Sequence, residues 1–159
     1  MTVYQAILAT PLGPIGVSTD AAGRLVSLDY LPPQTDPVAP ATPAASHVAR
    51  ALEAYFTDPR CRFDVPLAPR GTPHQRRVWE ALCDIPPGRS LTYGELAGRV
   101  GSAPRAVGQA CRRNPIPIIV PCHRVVARGG VGGYSGATEG PELAIKRWLL
   151  AHEGCVPGA

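Results

Sequence analysis

The stretch Ile118-Ile119-Val120-Pro121-Cys122-His123-Arg124-Val125 decides how the rest of this chain is read. Its apolar, β-branched start reads as a buried strand. Pro121 has no N–H to give to a ladder, so pairing is expected to stop there. Cys122 is thereby placed where a rigid strand opens into a turn, with an imidazole and a guanidinium following it. The thiolate is the nucleophilic form of cysteine, and neighbouring His or Arg groups favour it. A solitary buried cysteine is ordinarily an inert core residue. The strand-end position and the His-Arg pair favour a reactive one.

The surroundings of that stretch are basic. Residues 1–65 carry a net charge of −2 and residues 66–159 a net charge of +6. No acid occurs between Glu95 and Glu139, whereas Arg99, Arg105, Arg112, Arg113, Arg124 and Arg128 do. A basic block around a candidate nucleophile points to a polyanionic partner. An Arg-rich genome would explain a single Lys in the chain, but not the missing acids. With 159 residues the chain holds one ordinary domain or two small ones. It has no run of about 18 apolar residues that would span a bilayer. The N-terminus lacks a basic leader followed by an apolar core. Five cysteines, Cys61, Cys83, Cys111, Cys122 and Cys155, are spread without C-x-x-C spacing. Neither a disulfide framework nor a local zinc knuckle is expected, and a reducing cytoplasm fits best.

Outward from this centre, the first part of the chain reads as a small antiparallel meander: Tyr4 to Ala9, Gly16 to Thr19 and Leu25 to Tyr30, separated by Pro- and Gly-bearing turns. Thr42-Pro43 opens a helix with Val48, Leu52, Tyr55 and Phe56 on its apolar face. Phe63 to Val65 is a candidate further strand. The expected domains are 1–66 and 72–159, joined by a linker at 67–71. In the second domain, Thr72-Pro73-His74-Gln75 and Thr92-Tyr93-Gly94-Glu95 each form a capping box that starts a helix. Gly101-Ser102-Ala103-Pro104 makes a tight turn, and a third helix follows from about Arg105 to Arg113. Two short helices joined in this way form a helix-turn-helix pattern. Gly140-Pro141-Glu142 opens a last helix with Ile145, Trp148, Leu149 and His152 on one side, ending at Glu153.

On the third helix, Arg105, Gln109, Arg112 and Arg113 share a face, while Val107 and Cys111 pack inward. Ala106, Gly108 and Ala110 keep it slim, so its backbone can approach a partner closely. Such a helix, placed directly before Cys122, favours nucleic-acid binding over a merely solvated charged face. Glu153 opposes the dipole at its helix end, which hints at another task for that carboxylate.

The residues Arg105-Ala106-Val107-Gly108, Asn114-Pro115 and Pro121-Cys122-His123-Arg124-Val125, within a span from about Tyr55 to Gly154, resemble the O6-alkylguanine-DNA alkyltransferases. Thr10-Pro11-Leu12-Gly13-Pro14 and the segment from Gly71 to Trp79 resemble bacterial members. The resemblance implies an α+β chain. Its N-terminal domain would be a small ribonuclease-H-like antiparallel sheet with a helix. Its C-terminal domain would be a mostly helical, winged-helix-like helix-turn-helix domain. It implies repair by irreversible, stoichiometric transfer of an alkyl group from O6-alkylguanine to Cys122, with O4-alkylthymine as a further candidate substrate. His123 would deprotonate Cys122 through a water, Glu153 would orient His123, and Asn114 would brace the site. Tyr93 would crowd the 3′ phosphate and serve the leaving guanine. Arg105 would enter the duplex where the base has left. Arg105, Ala106, Gly108, Gln109, Arg112, Arg113 and Tyr93 would contact the minor groove, and Tyr134, Ser135 and Val125 would wall the guanine pocket. The implied partner is double-stranded DNA, with no cofactor, no metal, no membrane and no obligate protein partner. The chemistry is coherent: an O6-alkyl group inside the stack is reached only on a flipped base, and an inserted side chain offsets the lost stacking. The chain departs from relatives in a shorter Tyr93–Arg105 segment and a longer Ser135–Trp148 segment. It also lacks the N-terminal Cys/His cluster that binds structural zinc in some of them. Competing readings are a non-catalytic lesion binder, a helix-turn-helix regulator with a structural or redox cysteine, and a Cys-His hydrolase. The presence of Cys122 speaks against the first, and mere sequence adjacency of Cys and His against the last.

Overall fold

A computed structural model describes residues 3–132 and 140–155. The chain is α+β and divides into two compact units, Met1–Arg70 and Gly71–Ala159.

In the first unit β1 (Ala6–Thr10), β2 (Gly13–Thr19) and β3 (Leu25–Tyr30) form an antiparallel meander, with Leu8 opposite Ile15 and Val17 opposite Leu28. β2 begins three residues earlier than the spacing predicts. The β1–β2 turn is tight, and Gly13 carries it at φ +93°. Helix α1 (Pro43–Thr57) starts where Thr42 Oγ1 accepts from the Ala45 N–H. Its buried residues Ala45, Val48, Ala49, Leu52 and Tyr55 recur at helical spacing and pack on β1 and β2, which bury Ala6, Ile15 and Val17. Phe63–Val65 is not a strand. The Phe63 ring lies 5.4 Å from that of Tyr55, and His47 Nε2 donates to the Asp64 carbonyl, so side-chain packing replaces a ladder. The pairing comes slightly later: Leu67 bridges Leu25 in parallel, with Leu25 N–H on the Pro66 carbonyl and Ala68 N–H on the Leu25 carbonyl.

The second unit is mostly helical. It contains α2 (Pro73–Cys83), β4 (Leu91–Thr92), α3 (Tyr93–Val100), α4 (Pro104–Arg112), β5 (Val125–Val126) and α5 (Pro141–His152). Both capping boxes are formed, Thr72 with Gln75 and Thr92 with Glu95. α3 ends on Gly101 at φ +65°, which lets the chain reverse into α4. Helices α2, α3 and α4 pack on one another around Val78, Leu82, Leu96 and Val107. β4 and β5 pair in parallel, setting Leu91 beside Val125.

The decisive stretch is buried but is not a strand. Ile118–Val120 form turns, and Cys122–Arg124 form one 3-10 turn. Ile118 stands at φ +73°, a region that a β-branched side chain enters only under strain. Hydrogen bonds from Ile119 N–H to Pro117 O and from Val120 N–H to Ile116 O hold the turn, while the Ile118 side chain is completely buried. Ile118→Gly would relieve about 1–2 kcal/mol of strain but forfeit a buried aliphatic group whose removal costs about 2–5 kcal/mol. The expected outcome is a protein about 2 kcal/mol less stable, read as a lower urea midpoint at unchanged slope.

Helix α5 also corrects the expectation. Ile145, Trp148 and His152 are half-buried, and the ring of Trp148 stacks on that of His152 at 4.8 Å. The buried face is Leu143, Lys146, Leu149 and Leu150, followed by Glu153. It turns two ionisable side chains inward.

Candidate active site

Cys122 occupies the first position of the 3-10 turn and is buried. Asn114 fixes the turn's approach. Its Nδ2 donates to the Val120 carbonyl at 2.8 Å, and its Oδ1 accepts from the Ile116 N–H at 2.9 Å. One side chain thus ties the two ends of the Ile116–Val120 turn and also hydrogen-bonds to Cys122. Burial pushes the Cys122 thiol up, and the Asn114 hydrogen bond and the Lys146 charge pull it back. The groups that favour the thiolate are therefore Asn114 and Lys146, not the adjacent His123 and Arg124 that the sequence suggests.

Arg124 is committed elsewhere. Its Nε and Nη2 donate to the two Glu153 carboxylate oxygens, each at 2.9 Å, and its Nη1 donates to the Ile85 carbonyl. His123 Nε2 lies 2.8 Å from Glu153 Oε2. Burial alone would raise the Glu153 carboxyl, but hydrogen bonds and charge from His123 and Arg124 overcome it and hold it at about 2. Burial drives the His123 imidazole down, toward the neutral form. An ionised carboxylate only accepts, so Nε2 of neutral His123 carries the proton and Nδ1 is the basic nitrogen. Nδ1 is buried and has no hydrogen-bond partner among the described residues. In a 3-10 turn, successive side chains point about 120° apart, so Cys122 and His123 do not face each other directly, and a relay between them is required.

Lys146 is the residue that sequence reasoning missed. It is wholly buried, its Nζ donates to the Val125 carbonyl at 2.7 Å, and it lies 5.8 Å from the centre of the Tyr93 ring. Burial lowers it to about 8, against the pull of Cys122 and Cys111. Two signals pointed to it: it is the one Lys in an Arg-rich chain, and it precedes Glu153 by seven residues, two turns along the same face. Tyr93 begins α3, half-buried. Burial, followed by the nearby thiols of Cys111 and Cys122, raises its phenol to about 12, so it keeps its proton and donates. Val125 is fully buried on β5 and offers its carbonyl to Lys146. Tyr134 and Ser135 lie outside the described residues.

On α4, Arg105, Gln109, Arg112 and Arg113 are exposed, Ala106 and Gly108 half-buried, and Val107, Ala110 and Cys111 buried. A Cβ on Gly108 would meet nothing within 4 Å. Mid-helix glycine costs about 1 kcal/mol relative to alanine, and no packing inside the chain requires it there. Among the described residues no group of three or more His, Cys, Asp or Glu is placed to hold a metal, and no helix is long and apolar enough to cross a membrane.

Known proteins resemble this chain in both sequence and fold. Residues 73–155 match the family model described as 6-O-methylguanine DNA methyltransferase, DNA binding domain. The methylated-DNA–protein-cysteine methyltransferase of Methanosarcina acetivorans is 42% identical over 160 residues, covering 96% of this chain and 99% of that protein. Its Mycobacterium tuberculosis counterpart is 40% identical over 158 residues, covering 95% and 92%. The crystal structure of the M. tuberculosis O6-methylguanine methyltransferase superposes with a TM-score of 0.77 at 36% identity, covering 96% of this chain and 94% of that one. A structure of that enzyme in complex with DNA superposes with a TM-score of 0.76 at 37% identity, covering 93% and 91%. On this evidence, the chain belongs to the methylated-DNA–protein-cysteine methyltransferase family.

Proposed function

We propose that this protein repairs alkylated DNA by moving the alkyl group from O6 of guanine onto the sulfur of Cys122, once per molecule. The observation that carries the reading is a buried cysteine beside a neutral histidine whose far nitrogen is fixed by an ionised glutamate. This cluster lies in the same unit as an exposed arginine-bearing helix. The thiol proton passes through a water to Nδ1 of His123, and Glu153 steadies the resulting imidazolium. The thiolate, supported by Asn114 and Lys146, displaces guanine in line at the alkyl carbon. The C–O bond breaks as the S–C bond forms, and the leaving base takes up a proton for which Tyr93 is the donor. No group in the cluster reverses a thioether, so turnover stops at one.

The flipped base is reached through α4. Arg105 fills the vacated stack, Ala106 and Gly108 let the helix backbone approach the minor groove, and Gln109, Arg112 and Arg113 hold the phosphates. Tyr93 crowds the 3′ phosphate, and Val125, with Tyr134 and Ser135, walls the base. We further read the first unit as ribonuclease-H-like, from its meander and covering helix. The second reads as winged-helix-like, from the short β4–β5 ladder beside α3 and α4. Residues 67–71 join the two, and the location is the cytoplasm.

Titrating the protein with a duplex bearing one O6-methylguanine tests the proposal. Methyl transfer should plateau at one group per protein molecule, and continued turnover or no transfer would refute it. Lys146→Met checks the electrostatic part. Loss of the cation raises the Cys122 thiol. Transfer at pH 7 should therefore slow about tenfold, and the rising limb of the rate–pH profile should move to higher pH.

A further inference from the structure

Both ends of α4 are tied to α2 by side chains. At the C-terminal end Trp79 Nε1 donates to the Ala110 carbonyl at 2.8 Å. At the N-terminal end His74 Nε2 lies 2.8 Å from Ser102 Oγ, a contact across 28 positions of sequence. α2 is a firm strut, closed at its start by the Thr72–Gln75 capping box. α4 is less well anchored by its own sequence. Its N-cap is Ala103, no side chain caps it, and Pro104 offers no N–H. The turn before it is held locally by Ser102 N–H on the Ala97 carbonyl. His74–Ser102 is thus the side-chain tether that sets the direction in which α4 leaves the turn. Arg105 follows Ser102 by three residues. Pivoting α4 by about 10° at its Trp79 tether would displace the Arg105 backbone by about 1 Å, and errors of that size at a reacting geometry can cost on the order of a hundredfold in rate. The serine hydroxyl both donates and accepts, so the tether survives either histidine tautomer and protonation of the ring.

We propose that His74 is a positioning residue for alkyl transfer on duplex DNA, holding Ser102 so that α4 delivers Arg105 into the base stack. The inference rests on the alkyl-transfer function proposed above. It is tested by single-turnover transfer from two substrates: O6-methylguanine in a duplex, and O6-benzylguanine as the free base, which needs no helix docking. His74→Phe and Ser102→Ala should each slow the duplex reaction about five- to tenfold and leave the free-base rate unchanged. His74→Gln, whose amide reaches the same place, should recover most of the loss. In an Arg105→Ala background His74→Phe should add nothing, because its effect passes through Arg105. Equal losses on both substrates would make His74 a merely structural residue. An unchanged duplex rate, or a full further loss on top of Arg105→Ala, would overturn the proposal outright. Wild-type protein inert on both substrates would overturn the alkyl-transfer reading and this one with it.

Discussion

Cys122→Ser should lose alkyl transfer from an O6-methylguanine duplex by at least about a thousandfold while still binding the same DNA. The reason lies in the acid strengths at stake. A thiol ionises near pH 8–9 and its thiolate is a strong nucleophile, whereas a serine hydroxyl is a weak one unless an adjacent base takes its proton during attack. In the proposed mechanism His123 is such a base, but its Nδ1 acts through a water rather than in contact. Burial already disfavours the thiolate at this position, and the Asn114 hydrogen bond, the Lys146 charge and a backbone hydrogen bond at Cys122 oppose it. An alkoxide in the same place has no prospect of forming at neutral pH. The α4 residues proposed to contact DNA are untouched by the change, so affinity for lesion duplex should stay within about twofold while the rate collapses. A serine variant that repairs at the wild-type rate would eliminate the mechanism.

Glu153→Gln should have the second-largest effect, on stability as well as on rate. Glu153 has a folded-state pKa of about 2 against an ordinary 4.5. A depressed carboxyl contributes stability that is fully present above its unfolded value and is lost as pH falls through the folded one. That gap corresponds to about 3 kcal/mol. The wild-type unfolding midpoint should therefore fall between about pH 4.5 and pH 2, and the Gln variant should lack that component. At pH 7 the variant also leaves the Arg124 guanidinium buried without its counter-charge, a loss of about 3–5 kcal/mol. With total stability of order 5–15 kcal/mol, the variant should unfold at markedly lower denaturant. Its remaining folded fraction should transfer alkyl groups slowly, because a neutral amide with a single acceptor oxygen, sought also by Arg124, holds the proton on Nε2 of His123 less firmly and does not stabilise the imidazolium. Equal midpoints for the two proteins at pH 7 would show that the His123–Glu153–Arg124 cluster does not stabilise the fold.

Much of this organisation is legible in the chain because helix starts announce themselves chemically. Thr42, Thr72 and Thr92 each accept from the N–H three residues on, and Gln75 and Glu95 answer back to the caps. The inward side of α4 follows from simple periodicity. What misleads is a local signal overruled by a distant partner. Ile118–Val120 has strand composition, but Asn114 ties the turn by side-chain hydrogen bonds and no ladder is needed. Phe63–Val65 fails as a strand because Phe63 packs on the Tyr55 ring instead. The buried face of α5 is incompletely read because hydrophobic patterning gives no sign that Lys146 turns inward, where its hydrogen bond to the Val125 carbonyl holds it. Arg124, next to Cys122 in sequence, serves Glu153 instead of the thiol. The candidate catalytic residues are named by the motif, but the electrostatic partners around them required the fold.

Five cysteines offer the most direct test. Cys61 and Cys83 are exposed, and Cys111, Cys122 and Cys155 are buried. Burial raises Cys111 to about 12. Accessibility alone would favour alkylation of Cys61 or Cys83. After reaction with one equivalent of O6-methylguanine duplex, proteolysis and tandem mass spectrometry should find the methyl group on the peptide bearing Cys122 and on no other cysteine. A methyl group spread over Cys61 and Cys83, or absent from Cys122, would contradict the account.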